Sequence, residues 1–217
     1  MAGMRRIALL ATILAAVVAV AGCNGSGDGR TATGELKVVA AENFWGNLAQ
    51  QIGGSHVAVT SLITNPAADP HEFTSNTADQ LAVATAGLVV VNGAGYDGFM
   101  AKLLAAAPSS HRQVVTVADA LHVTASNNPN PHLWYDVDRL PTAITAIADG
   151  LIAADPTHAA AYRQGAARTI AAVRPLQRAV QSLRRRYAGT PVAYTERLPG
   201  YLLDDAGLRV VTPAGFA

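Results

Sequence analysis

From Leu36 to Val117, short apolar runs of strand length alternate with segments patterned as helices, and this alternation constrains the fold more than any other feature of the chain. Leu36–Ala41, Val57–Ile63, Leu88–Val91 and Gln113–Val117 read as strands, each four to seven residues long. Between them, Asn43–Ile52 places Phe44, Leu48 and Ile52 at four-residue intervals, with Gly53-Gly54 to stop it. Thr77–Thr85 and Tyr96–Ala107 carry the other two helical patterns. Strands separated by single helices predict βαβ units and a parallel sheet, with right-handed crossovers placing helices on both faces. The expected class is α/β.

The pattern changes at Asp138. Leu140, Ile144, Ile147 and Leu151, then Tyr162 through Tyr187, keep helical spacing and predict one long helix or a pair, spanning the molecule rather than wrapping one sheet. Pro156 suits a helix's first turn, whereas Pro175 falls in an interior, where it removes a hydrogen bond at a cost of about 3 kcal/mol, and predicts a bend near Ala171. Gly189-Thr190-Pro191 ends the run; Val192–Thr195 reads as a strand, Leu198–Ala206 as a helix and Leu208–Val211 as a further strand. The division expected is an N-terminal α/β lobe over 36–137, a linking helical segment over 138–188 and the start of a second α/β lobe over 189–217. About two strands are too few for a core of their own, so the second lobe reads as incomplete.

The first residues form a separate module. Arg5 and Arg6 precede a fifteen-residue run, Ile7–Ala21, apolar but for Thr12, which is a signal-peptide core and short of the ~20 residues of a membrane-spanning helix. The run ends in Val20-Ala21-Gly22-Cys23, and Cys23 is the single cysteine. A small-residue site followed by cysteine resembles a bacterial lipoprotein processing box. That resemblance implies cleavage of a signal peptide 1–22 and lipid attachment to Cys23; the competing reading is an ordinary signal with an incidental cysteine. Residues 23–35 read as a flexible tether. Removing residues 1–22 takes two arginines and no acid from a formal charge of +1, leaving −1. With 50% hydrophobic and 14% charged residues, the composition excludes a disordered or nucleic-acid-binding chain. The Arg184-Arg185-Arg186 cluster, at a helix end, reads as a solvated face complementing the helix dipole.

Two loops carry the chemistry. Asn127–Asp136 holds His132 between prolines and a Leu133-Trp134-Tyr135 block, and Asn65–Phe73 repeats the design around His71. Each proline fixes its own φ and restricts the residue before it, so both imidazoles leave stiff loops, which suits metal coordination; a buried histidine bonded to backbone is the competing reading. In parallel sheets, ligand sites lie beyond the carboxyl ends of the strands. His71 follows the second predicted strand, His132 the fourth, and Glu196 the first strand of the second lobe. Two imidazoles and a carboxylate can hold a divalent first-row cation in a cleft. His56, His111, His122 and His158 read as solvent-exposed bystanders, Glu72 as an exposed acid or an orienting partner of His71, and Trp45 and Trp134 as core or cleft wall.

Taken in order, Asn43-Phe44 with Leu48–Gly54, Asp69-Pro70-His71-Glu72-Phe73, Asn130-Pro131-His132-Leu133-Trp134, Tyr194-Thr195-Glu196, Gly200-Tyr201-Leu202 and Ala206-Gly207-Leu208 resemble the solute-binding proteins of bacterial zinc/manganese ABC importers. The resemblance implies a two-lobed solute-binding fold, parallel sheets flanked by helices, with lobes joined by a long helix and the metal in the cleft. It implies His71 and His132 as the first and second metal ligands and Glu196 as the third, where the family has histidine or glutamate. The family's fourth, acidic ligand has no counterpart before Ala217. The His-rich acidic loop of many zinc-specific members is absent too, which leaves zinc and manganese both open. The implied function is extracytoplasmic capture of zinc or manganese by a lipid-anchored monomer that delivers it to an ABC permease. It needs no catalytic cofactor and no nucleic acid partner. A metallohydrolase would need an acid or base that these loops lack, and neither an HExxH helix nor a GxSxG elbow is present. The sequence is also compatible with a receptor for an organic solute, and with a truncated remnant of a metal receptor.

Overall fold

The computed structural model describes residues 29–65, 68–70, 72–124 and 129–213; the apolar run of residues 7–21, Cys23 and His71 lie outside them. The front part is built from β1 (Leu36–Glu42), α1 (Asn43–Gly53), β2 (Val57–Ile63), α2 (Thr77–Thr85), β3 (Leu88–Val91), α3 (Gly98–Ala106), β4 (Gln113–Thr116) and the short α4 (Val117–Ala120). The strands form one sheet in the order β2-β1-β3-β4, parallel throughout, with Val38 opposite both Val59 and Leu88.

Alternation of side chains along the strands divides the core in two. Leu36, Val38, Ala40, Leu88 and Val90 face one layer, with Trp45, Ile52, Ile144, Ile147 and Tyr162. Val39, Ala41, Val89 and Val91 face the other, with Val83, Phe99, Met100 and Leu103 from α2 and α3. Helices therefore cover both faces, as parallel strands with buried sides require. Asn76 starts α2 with a capping box, accepting from Ala78 and Asp79 N–H while Asp79 accepts from Asn76 N–H.

The helical pattern after Asp138 is a pair: α5 (Leu140–Ala154) and α6 (Ala159–Tyr187), separated by a short 3-10 turn at Pro156–His158. Here the structure differs from the sequence reading. α5 does not span the molecule; its Ala143, Ile144, Ile147, Ala148 and Leu151 are buried in the front core. Its mostly apolar composition, with few charges, is that of a core helix. α6 alone runs on. Its first half packs on α1, where a Cβ on Gly165 would stand 2.0 Å from the Ile52 carbonyl oxygen, so only glycine permits that approach. Its second half leaves Leu176, Leu183 and Tyr187 exposed. Pro175 lies inside a helix that stays continuous on both sides of it.

The remaining elements are β5 (Pro191–Val192), α7 (Gly200–Asp205) and β6 (Arg209–Val210). β5 and β6 pair in parallel, and Val137, Val180 and Ala206 form a small core beneath them with Leu202 and Leu208. β5 is shorter than the four residues read from the sequence, so Glu196 sits in the bend between β5 and α7, still beyond the strand's carboxyl end.

Candidate metal centre

The loop that carries His132 is anchored from the end of β3. Asn92 is fully buried; its Nδ2 donates to the carbonyls of Pro131 (2.9 Å) and Gly93 (3.0 Å), and its Oδ1 accepts from Trp45 Nε1 at 3.1 Å. Asp97 in turn accepts from the N–H groups of Asn92 (2.6 Å) and Gly93 (2.9 Å), fixing the turn after β3. Buried polar groups with all partners made define one arrangement, because any other leaves a donor or acceptor unpaired.

Asn130 sets the imidazole. Its Oδ1 accepts from the His132 N–H at 3.1 Å and lies 2.7 Å from His132 Nδ1. An amide oxygen can only accept, so in the neutral ring Nδ1 carries the proton and Nε2 presents its lone pair. Nε2 stands 3.5 Å from Glu196 Oε1. Nitrogen and oxygen donors each about 2.1 Å from one ion at the tetrahedral angle would lie about 3.4 Å apart. The observed spacing is that of two donors on a shared edge. His132 itself is 9% exposed, while Glu196 remains open to solvent.

Asn130 also joins the two parts of the molecule. Its Nδ2 donates to the Arg197 carbonyl at 2.7 Å, and its own carbonyl accepts from Tyr201 Oη at 2.8 Å. A Cβ on Gly200 would stand 2.7 Å from Asn130 Nδ2, so the glycine lets α7 come this close. Tyr96 and Trp134 pack edge-on against the His132 ring at 5.7 and 5.3 Å between centroids, and Phe44 stacks on Trp134 at 4.0 Å.

Of the three side chains read as ligands, His132 and Glu196 are brought together. His71 lies outside the described residues, although its neighbours form a turn, with Glu72 N–H on the Asp69 carbonyl and Phe73 against Phe99 at 4.6 Å. Glu72 is exposed. Among the described residues no three His, Cys, Asp or Glu side chains gather closely enough to hold one ion. Trp45 is core and Trp134 lines the cleft. His56 and His158 are not bystanders in solvent: their rings stack at 4.0 Å, and His158 Nδ1 lies 2.6 Å from Asp155.

Next to His132 a cavity of about 240 Å³ is lined by Glu42, Asn43, Asn65, Tyr96, Trp134 and, across from them, Leu198. Glu42 and Tyr96 were not singled out by the sequence. Burial, then the charge of Asp97, pushes the Glu42 carboxyl up to about 9, against a smaller pull from its own backbone N–H. Burial, then the charges of Glu42, Glu196, Asp69 and Asp97, pushes the Tyr96 phenol up to about 12. Asp97 is raised by burial, against the pull of the Gly93 and Asn92 N–H groups. The available signal was a lone acid closing an apolar strand, at the end of the sheet where ligands bind.

The family model described as "Zinc-uptake complex component A periplasmic" matches residues 38–217. The chain belongs to this family, known as ZnuA. Among curated proteins, it is 30% identical over 167 residues to the manganese-binding lipoprotein MntA of Bacillus subtilis, covering 74% of this chain and 54% of that one. It is 27% identical over 187 residues to the iron-binding protein YfeA of Yersinia pestis, covering 82% and 58%. Thus this ZnuA-family chain spans a little over half the length of these curated relatives. In fold it is similar to the metal-dependent lipoprotein YcdH of Bacillus subtilis, with a TM-score of 0.76 at 19% identity over 84% of this chain and 68% of that one. Zn(II)-bound AdcA of Streptococcus pneumoniae gives 0.72 at 20% identity, over 84% and 40%. The parallel-sheet α/β class read from the strand–helix alternation, and the two-lobed solute-binding fold that the resemblance implies, are those of these ZnuA-type neighbours.

Proposed function

We propose that the chain is a metal receptor that captures a divalent transition-metal cation outside the cytoplasm, through His71, His132 and Glu196, and delivers it to an ABC permease. The observation that carries this reading is the 3.5 Å approach of His132 Nε2 to Glu196 Oε1 across the cleft, with the imidazole's other nitrogen held by Asn130. A ring oriented through its far nitrogen is the usual preparation of a histidine for metal binding. Attachment through lipid at Cys23 would keep the receptor at the membrane, near its permease.

The relatives' names cover manganese, iron and zinc. One carboxylate beside the imidazoles makes manganese more acceptable than histidines alone, while intrinsic affinity favours zinc; both belong to the proposal. Titration of the chain with zinc and with manganese should show one ion bound per chain. His71→Ala, His132→Ala and Glu196→Gln should each weaken binding, whereas His111→Ala should not. Cation and proton compete for the same imidazole nitrogens, so affinity should fall as pH drops from 7.5 to 5.5. Binding that survives loss of both histidines would exclude the proposal.

A further inference from the structure

The one carboxyl that lines this cavity, Glu42, has no part in the proposed ligand set. Glu42 is the last residue of β1, is 2% exposed, and neither of its carboxyl oxygens has a hydrogen-bond partner. It also occupies the capping position of α1, where an acidic side chain ordinarily turns back onto the helix N–H groups; here no such bond forms. The carboxyl instead lines the cavity of about 240 Å³ together with Asn43, Asn65, Tyr96, Trp134 and Leu198. A polar group buried without partners costs free energy, and an unpaired charge costs more.

The surroundings account for how that cost is met. Asp97, on the β3–α3 connection, faces Glu42, and Tyr96 from the same connection lies under the influence of Glu42, Asp69 and Glu196 while its ring packs on His132. The Glu42 carboxyl on β1 and the Asp97 carboxyl on the β3–α3 connection repel one another when both are ionised in a medium of low dielectric. They are compatible when positive charge sits among them. Without a metal ion a proton supplies that charge, and Glu42, pushed up to about 9, holds one at neutral pH.

We propose that Glu42 is a further cation-facing carboxyl of this site, carrying a proton in the metal-free receptor and releasing it when a divalent cation is captured. The inference rests on the metal-receptor reading. Because no three candidate donors among the described residues share one point, Glu42 serves as a compensating charge at the cavity wall rather than as a bonded neighbour of His132 and Glu196. On capture its O–H bond breaks, the electron pair stays on oxygen and the proton passes to the buffer, so two positive charges enter and one leaves.

The test is calorimetric titration of the full chain with zinc chloride and manganese chloride at pH 7, in buffers of different ionisation enthalpy, which counts the protons released per ion bound. Glu42→Gln keeps the shape and removes the ionisable proton. It should bind about 10-fold more weakly or worse and release about one proton fewer. Glu42→Asp, which keeps the acid, should retain the extra proton, and it carries the same test should the glutamine variant misfold. Unchanged affinity and proton count in Glu42→Gln would overturn the inference and leave the receptor reading standing. Unchanged binding in His132→Ala and Glu196→Gln would overturn the receptor reading and this inference with it.

Discussion

Two buried carboxyl groups lie at opposite ends of the front sheet and are treated in opposite ways. Asp155, at the amino ends of the strands, is fully buried and accepts from Arg30 Nη2 (2.7 Å), Tyr162 Oη (2.7 Å) and His158 Nδ1 (2.6 Å). Burial works to raise it, but those hydrogen bonds and the Arg30 charge win and hold it at about 2. Glu42, at the carboxyl end of β1, is as deeply buried, has no hydrogen-bond partner and is pushed up to about 9. The first group ties the segment before β1 to the α5–α6 turn and belongs to the fold. The second is left unsatisfied beside the cleft. Nearly every other buried polar side chain among the described residues is paired, so that contrast separates the end that ties the fold together from the end where the cation site is proposed.

The largest effect should come from removing the satisfied carboxylate. Asp155→Ala strands Arg30, His158 and Tyr162 around a lost partner, and breaking a buried pair typically costs about 3–5 kcal/mol. Thermal unfolding should fall by roughly 10 °C, with metal affinity in the surviving folded fraction unchanged. Because Asp155 is depressed when folded, its contribution is complete above about pH 4 and is lost as pH falls through about 2. Acid unfolding of the parent chain, but not of Asp155→Asn, should therefore steepen in that window. For Glu42 the sign reverses. The folded chain keeps a proton that the unfolded chain has released, so the parent loses stability as pH rises from about 4.5 towards 9. Glu42→Gln has no such dependence and should gain on the parent by up to ~1.4 kcal/mol per pH unit, on the order of 4 kcal/mol between pH 5 and 8. A variant that is more stable at pH 8 yet binds metal worse would mark Glu42 as functional; equal stability at both pH values would remove the contrast with Asp155.

The strand–helix order of the front lobe was legible because its signals are local. Leu88–Val91 and Val57–Ile63 are apolar, β-branched runs bounded by turns, and their limits agree with the structure. The role of α5 was not legible, since the spacing of Leu140, Ile144, Ile147 and Leu151 shows an apolar face but not what covers it. His132 and Glu196 could be named because prolines and strand ends restrict where a side chain can go. Glu42 and Asn130 could not be ranked in the same way. What distinguishes them is the absence of a hydrogen-bond partner for one and the presence of three for the other, and both depend on residues far away in the chain, such as Asp97, Arg197 and Tyr201.

Asn130 provides a smaller perturbation at the ligand end. Asn130→Ala releases the His132 ring and removes the bond to Arg197, and loss of such an orienting partner typically costs 10- to 100-fold in metal affinity. Titration with zinc should show that loss while thermal unfolding moves by only a few degrees. Should stability fall as far as in Asp155→Ala, the two ends would not be distinct in purpose.

The smallest change belongs to His158, and it tests the other side of the contrast. The ring stacks on His56 at 4.0 Å and its Nδ1 meets Asp155, so a reader looking for metal ligands would pick this pair before His132. Asp155, however, keeps Arg30 and Tyr162 when His158 is removed, and a ring that is about one-third exposed contributes less than a buried one. His158→Ala should thus cost on the order of 1 kcal/mol, the net worth of one hydrogen bond and some packing, and leave zinc and manganese affinity where it was. An affinity loss in this variant would mean that the amino end of the sheet also binds metal. The division of labour between Asp155 and Glu42 would then have to be redrawn around two cation sites rather than one.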